Sequence, residues 1–304
     1  MRKSSPVVRL AIKKEIVVGI PVSVVVLTKN EESNIGKCLE SVKDFDEVFV
    51  VDSASEDKTC EIALTYPNAQ VLQFAWDGGF PKKKQWALSN APFSFSWVLY
   101  LDADEQVTPE LAASIAKEIA GEPKHSGYFV GYDNFFLGRR LRYGAHSMKL
   151  ILLLRDKAHF DPANEILTTT MWEVEGNYQP TIDGSFATLR GQAIHNDYKS
   201  LYQYFGRHNR YSDLEALHRL DQLKVEESYP PLRRIVKALR RTPGAGFLYF
   251  LYSYVLLGGF LDGRAGLAFA LARLSYFIEI DCKVLELKCV PEVRETHYLR
   301  DTNS

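Results

Sequence analysis

A chain of 304 residues with 46% hydrophobic and 25% charged content can bury one large core or two modest ones. A formal net charge of −1 lacks the basic excess of a general nucleic-acid binder. Cys38, Cys60, Cys282 and Cys289 are too scattered for a disulfide framework and form no Cys-x-x-Cys pair, so a structural zinc site is not expected either. A reducing, cytoplasmic setting follows as the expectation. The N-terminus, Met1-Arg-Lys, shows neither the apolar stretch nor the cleavage site of a signal peptide.

After a lead-in over residues 1–20, strand and helix signals alternate. Val22-Ser-Val-Val-Val-Leu27 is a β-branched apolar run suited to a strand buried on both faces. Ile35, Leu39 and Val42 follow at helical spacing within Glu31–Val42. Glu47-Val-Phe-Val-Val51 is a second strand ending at Asp52, and Ser55 is placed to cap the next helix. Ala69–Phe74 is a third strand, with helix from Pro81 through Leu88. Trp97-Val-Leu-Tyr-Leu101 is a fourth, ending in Asp102-Ala-Asp104, and Thr108-Pro-Glu opens a further helix with proline in the first turn. The alternation predicts a doubly wound α/β domain with a mostly parallel sheet. From about residue 127 strand-like pieces replace it, among them Gly127–Val130, Lys149–Leu154 and Thr188–Arg190. From Ser200 the pattern is helical and aromatic, which sets a domain over 21–198 and a helical region over 199–304.

Polar residues gather where open α/β sheets bind ligands, at the carboxyl ends of strands. Thr28-Lys-Asn-Glu-Glu ends the first strand, Asp52-Ser the second and Asp102-Ala-Asp-Glu the fourth. Any one of them is also an ordinary cap or turn; their common edge is the stronger signal. Two carboxylates one residue apart after a buried strand can share a hard divalent cation, Mg²⁺ or Mn²⁺, which keeps waters and binds substrate phosphates. His195, after an apolar stretch, is a candidate imidazole ligand to the same metal or a structural histidine.

The segments Leu27-Thr-Lys-Asn-Glu-Glu, Val50–Thr59, Pro81-Lys-Lys-Lys-Gln-Trp-Ala-Leu88 and Trp97–Glu105 resemble those of family 2 glycosyltransferases, in that family's order and spacing. Phe136–Gly144 and Glu173–Pro180 resemble a subgroup that makes lipopolysaccharide cores and exopolysaccharides. The resemblance implies a glycosyltransferase A fold and an inverting transfer from a nucleotide diphosphate donor, a UDP-sugar being the expectation. It implies a lipid-linked or lipopolysaccharide acceptor. It places Thr28, Asn30, Glu31 and Asp52 at the nucleotide and Lys84 near the diphosphate, where the family commonly has arginine. Gln85 stands where asparagine is frequent. Asp102 and Asp104 match the metal and diphosphate motif. For the base that takes the acceptor proton, Glu175 comes first, because it lies in the matching segment just before Gly176. Glu173 is second and Glu165 third.

Two rivals stand beside this assignment. A nucleotidyltransferase uses a similar sheet, but its glycine-rich first loop has no counterpart here before Gly36. A non-catalytic sugar-binding or scaffold protein could also keep the fold. At the C-terminal end, Pro231–Arg241 carries five basic residues beside Leu232, Ile235, Val236 and Leu239, the make-up of an interfacial helix. Phe247–Leu261 is a fifteen-residue run without charge, shorter than the stretch of about 20 residues that spans a bilayer. Peripheral attachment to the cytoplasmic face of a membrane is expected, with a helical hairpin packed on the catalytic domain or a partner subunit as the alternative.

Overall fold

The computed structural model describes residues 19–160, 179–196, 200–221 and 242–294. The catalytic-base candidates Glu165, Glu173 and Glu175, the basic segment 231–241 and most of the lead-in lie outside them.

The alternation expected from the sequence is present. Strand β1 (Ile20–Thr28) is buried along nearly its whole length, as is β2 (Phe45–Asp52), which explains their largely apolar character. Helices α1 (Ile35–Ser41), α2 (Thr59–Ala63) and α3 (Lys83–Asn90) alternate with β2, β3 (Ala69–Gln73) and β4 (Trp97–Asp102). A short β5 (Glu105–Val107) precedes α4 (Pro109–Ile119), where Thr108 caps the Leu111 amide and Pro109 takes the first turn, as the sequence signalled. Then come β6 (Gly127–Phe136), β7 (Arg139–Arg140), β8 (Met148–Leu154), β9 (Ala158–His159), β10 (Thr181–Ile182) and β11 (Phe186–His195).

Two local expectations shift. Ser55 does not cap α2; its hydroxyl donates to Asp52 and accepts from the Asn30 amide, and the helix begins at Thr59. Helix α1 starts at Ile35 rather than Glu31; the Glu31 and Glu32 amides donate to Thr59 Oγ1 and Asp57 Oδ2 in the neighbouring loop.

Among the described residues the main sheet has nine strands in the order β3-β2-β1-β4-β8-β6-β11-β5, with β7 on β6; β9 and β10 form a separate ribbon. Strands β1, β2, β3, β4, β6 and β11 run one way, while β5, β7 and β8 run against them, so the sheet is mixed with a parallel half. From β1 the chain winds outward through β2 and β3, then returns to place β4 on the other side of β1. That reversal makes a topological switch point at the carboxyl ends of β1 and β4, the crevice where open α/β sheets take ligands. Thr28 pairs with Asp52 and Leu27 with Asp102 across it.

The far half curls. Strand β5 begins only three residues after Asp102 yet pairs with β11, which lies three strands from β4 in sheet order. A bulge in β11 between Thr188 and Gln192 carries Gly191 at φ 82°. A side chain there would start 2.6 Å from the Leu111 amide nitrogen, so only glycine lets α4 lie this close.

Helices α5 (Leu201–Asp221), α6 (Ala245–Phe250) and α7 (Gly263–Cys289) form the C-terminal region. Helix α6 runs on into a π-helical turn over Leu251–Leu256, and a 3₁₀ turn over Gly259–Asp262 leads into α7. Phe136 at the end of β6 packs edge-on against Tyr204 of α5 and Phe269 of α7, both at 5.3 Å between ring centres. The loop after β7 is bound to the same region: the Asp262 carboxylate accepts from the Arg142 and Tyr143 amides, and Ser253 Oγ accepts from the Ala145 amide.

Candidate active site

At the switch point the β1 and β2 loops are laced together. Asp52 is fully buried, and its carboxylate accepts from the Ser55 amide at 2.9 Å and from the Ser55 hydroxyl. Burial pushes this carboxyl up, but the Ser55 hydrogen bonds outweigh it and hold it below its ordinary value. Asn30 takes φ 55°, which asparagine tolerates, and bridges the loops: its amide donates to Ser55 Oγ and its side-chain oxygen accepts from the Glu56 amide, both at 2.8 Å. The Glu31 amide donates to Thr59 Oγ1, while Glu31 Oε2 accepts from Asn34. Thr28 is buried; its carbonyl accepts from Lys83 Nζ at 2.7 Å, and its hydroxyl has no hydrogen-bond partner. Lys84, one residue on, is part-buried, and its charge helps to lower the Asp102 carboxyl. Gln85 is committed elsewhere, its side-chain oxygen accepting from the Phe160 amide at 2.8 Å.

The acidic group follows at the end of β4. Lys149 Nζ lies 3.0 Å from Asp102 Oδ2 and 2.6 Å from Glu105 Oε1. Glu105 is almost wholly buried, and its other oxygen accepts from the Tyr132 hydroxyl and the Asp102 amide, each at 3.1 Å. His195 Nε2 stands 3.6 Å from Asp104 Oδ2. The pairing of β11 with β5, His195 opposite Glu105, sets His195 beside Asp104, which stands two positions after Asp102.

The charges tune one another. Burial raises the Asp102 carboxyl, but Lys149 and then Lys84 outweigh it and hold it well below the usual carboxylate range. Burial acts alike on Asp104, where the contact with His195 wins and lowers it. For Glu105 burial prevails over Lys149 and raises the carboxyl. Burial alone would lower His195, yet the nearby Asp104 carries it up to about 9.

The residues fit a divalent cation. Asp104 Oδ1 is buried without a hydrogen-bond partner among the described residues, an orphaned acceptor two positions from Asp102. Among the described residues no three His, Cys, Asp or Glu side chains are arranged to hold a metal ion by themselves. Sequence pattern alone placed Glu105 at the end of the fourth strand without a role and did not single out Lys149 or Tyr132. A lysine heading the otherwise apolar run Leu150–Leu154 was the available signal for Lys149.

A switch point edged by carboxylates, with an orphaned acceptor among them, is the architecture of an α/β protein that takes its ligand at the carboxyl ends of its strands. The Glycosyl transferase family 2 model matches residues 23–194, more than half of the sequence, and the chain belongs to that family. It is 30% identical over 285 residues to an uncharacterized glycosyltransferase of Rickettsia typhi, covering 91% of this chain and 92% of that one. It is 28% identical over 291 residues to the lipopolysaccharide core biosynthesis glycosyltransferase LpsC of Rhizobium meliloti, covering 90% and 96%. Among solved structures, the mannosyltransferase PcManGT of Pyrobaculum calidifontis, in complex with GDP-Man and Mn²⁺, shares 16% identity at a TM-score of 0.46, covering 87% of each chain. Membership of this family sets aside the nucleotidyltransferase alternative.

Proposed function

We propose that this protein transfers a sugar, with inversion, from a nucleoside diphosphate donor to a lipid-linked or lipopolysaccharide saccharide. A UDP-sugar is the first donor to try. The observation that carries the donor chemistry is the orphaned Asp104 oxygen beside Asp102 at the switch point. The similarity to LpsC supports the acceptor class.

In this scheme Thr28, Asn30, Glu31 and Asp52 bind the base and ribose, and Lys84 faces the diphosphate. Asp102 and Asp104, with His195 as a further candidate ligand, would hold Mg²⁺ or Mn²⁺. When bound, that ion supplies Lewis acidity that neutralises the departing diphosphate. Lys149, anchored by Glu105, keeps Asp102 ionised and aimed into the crevice. Glu175, or failing it Glu173, accepts the acceptor hydroxyl proton as that oxygen bonds to the anomeric carbon. The bond to the diphosphate breaks on the opposite face, and the nucleoside diphosphate leaves.

The test is release of nucleoside diphosphate from UDP-, GDP- and dTDP-sugars, with Mn²⁺ or with EDTA and with added lipid extract. We expect one donor to turn over only with metal, and Asp104→Ala to lose about a hundredfold or more. Glu175→Gln should lower kcat by about 10²–10⁴-fold without weakening donor binding by calorimetry. Turnover indifferent to EDTA and to Asp104→Ala would sink the metal assignment. Folded protein that binds a donor but never turns it over would favour the non-catalytic alternative.

A further inference from the structure

Fifteen residues without charge, Phe247–Leu261, are left largely uncovered by the fold. Leu256 is 76% exposed, Leu261 58%, Phe247 57% and Leu251 53%. A contiguous apolar surface of this kind marks an interaction site. No single helix among the described residues is long and apolar enough to cross a bilayer, and Ala245–Leu256 meets Gly259–Cys289 at a bend of 72°.

The surroundings of this surface identify what covers it. The β6–β7 turn and the start of α7 enclose a cavity of about 430 Å³ lined by Leu137, Arg139, Arg264 and Ala265. Arg139 and Arg264 are exposed, as is Arg142 on the next loop, and none of the three pairs with a carboxylate among the described residues. From Thr242 to Ile278 the sole acidic residue is Asp262, and its carboxylate is committed to the Arg142 and Tyr143 amides. That contact also fixes the arginine loop to the apolar turn. In the sequence, the five basic residues of Pro231–Arg241 come immediately before Thr242. An apolar wedge rimmed by unpaired guanidinium groups complements hydrocarbon bordered by phosphates.

We infer that Phe247–Leu261 docks in the plane of an anionic phospholipid bilayer, with Arg139 and Arg264 set against the lipid phosphates. The binding is independent of the donor chemistry. Its consequence for catalysis rests on the proposed function: β6 runs from Tyr132, in the His195 cluster, to the turn at Leu137. Five residues of strand span about 17 Å, so the acidic crevice faces acceptor sugars carried just above the bilayer.

The test is flotation of the full chain with vesicles of phosphatidylcholine alone or of equimolar phosphatidylcholine and phosphatidylglycerol. We expect the anionic vesicles to bind more tightly and added salt to weaken them. At about 1 kcal/mol per arginine near the surface, Arg139→Gln with Arg264→Gln should lower that partitioning about thirtyfold. Leu256→Glu with Leu261→Glu should abolish it, with unchanged circular dichroism because both side chains are exposed. Phe260→Trp supplies a readout on a conservatively altered chain: its emission should shift to the blue and be quenched by brominated lipid in the anionic vesicles. Binding that ignores vesicle charge, or an unshifted tryptophan, overturns the inference. So does a dimer in sedimentation equilibrium that the Leu256→Glu, Leu261→Glu chain cannot form, since a second copy would then cover the face.

Discussion

Asp102, Asp104 and Glu105 lie within four residues, and Lys149 touches two of them. Taking a partly buried cation from between carboxylates leaves charge without compensation, which costs more than the pair itself contributes. Lys149→Met should therefore destabilise the fold by about 3 kcal/mol, seen as a lower urea midpoint at unchanged slope. A loss below about 1 kcal/mol would mean that water screens these carboxylates. The three-residue acidic run and the lysine at the head of β8 were both visible in the sequence. Their meeting was not, because 47 positions separate Asp102 from Lys149 and no local periodicity couples β4 to β8.

At the scale of elements, α5 and α7 meet around His208. Its ring stacks on Tyr204 at 3.8 Å and abuts Tyr276 edge-on at 5.2 Å, and Nδ1–H donates to the Tyr204 carbonyl. Burial, the larger cause, and the nearby Arg273 and Arg207 charges lower this imidazole to about 4, while the Tyr204 carbonyl opposes them. The folded state thus holds His208 neutral over a range in which the unfolded chain, titrating near 6.5, takes up a proton. The stabilisation is complete above pH 6.5 and is lost as pH falls from 6.5 towards 4. Between pH 7.5 and 5, wild type should lose about 2 kcal/mol more than His208→Phe in urea unfolding. Equal losses would show that the ring is hydrated in the folded state. Composition had marked this region as helical and aromatic, which is how α5 and α7 appear. The pairing of Tyr204 with His208 follows helical spacing, but Tyr276 reaches them only through tertiary packing.

For the whole molecule, Phe136 joins the sheet to the C-terminal helices. It is 3% exposed, at the last position of β6, between Tyr204 and Phe269. Phe136→Ala should cost about 4 kcal/mol. Hydrogen exchange would locate the damage: faster exchange in α5 and α7, with β1 and β2 still protected. Uniform acceleration across the chain would mean that the two parts unfold as one unit. By itself the sequence determined the βα alternation, the run of Thr28, Asp52 and Asp102 at strand ends and the bare apolar segment after Thr242. Each is set by local periodicity, strand length and the side chains that terminate a buried strand. Only the tertiary structure decided that β8, β6 and β11 extend the sheet in mixed directions and that β5 curls over to set His195 against Asp104. It alone decided that Phe247–Leu261 stays exposed beside Arg139 and Arg264. Strand pairing across long separations and the side of a helix left to solvent are settled by the packing of the entire chain, which no single segment encodes.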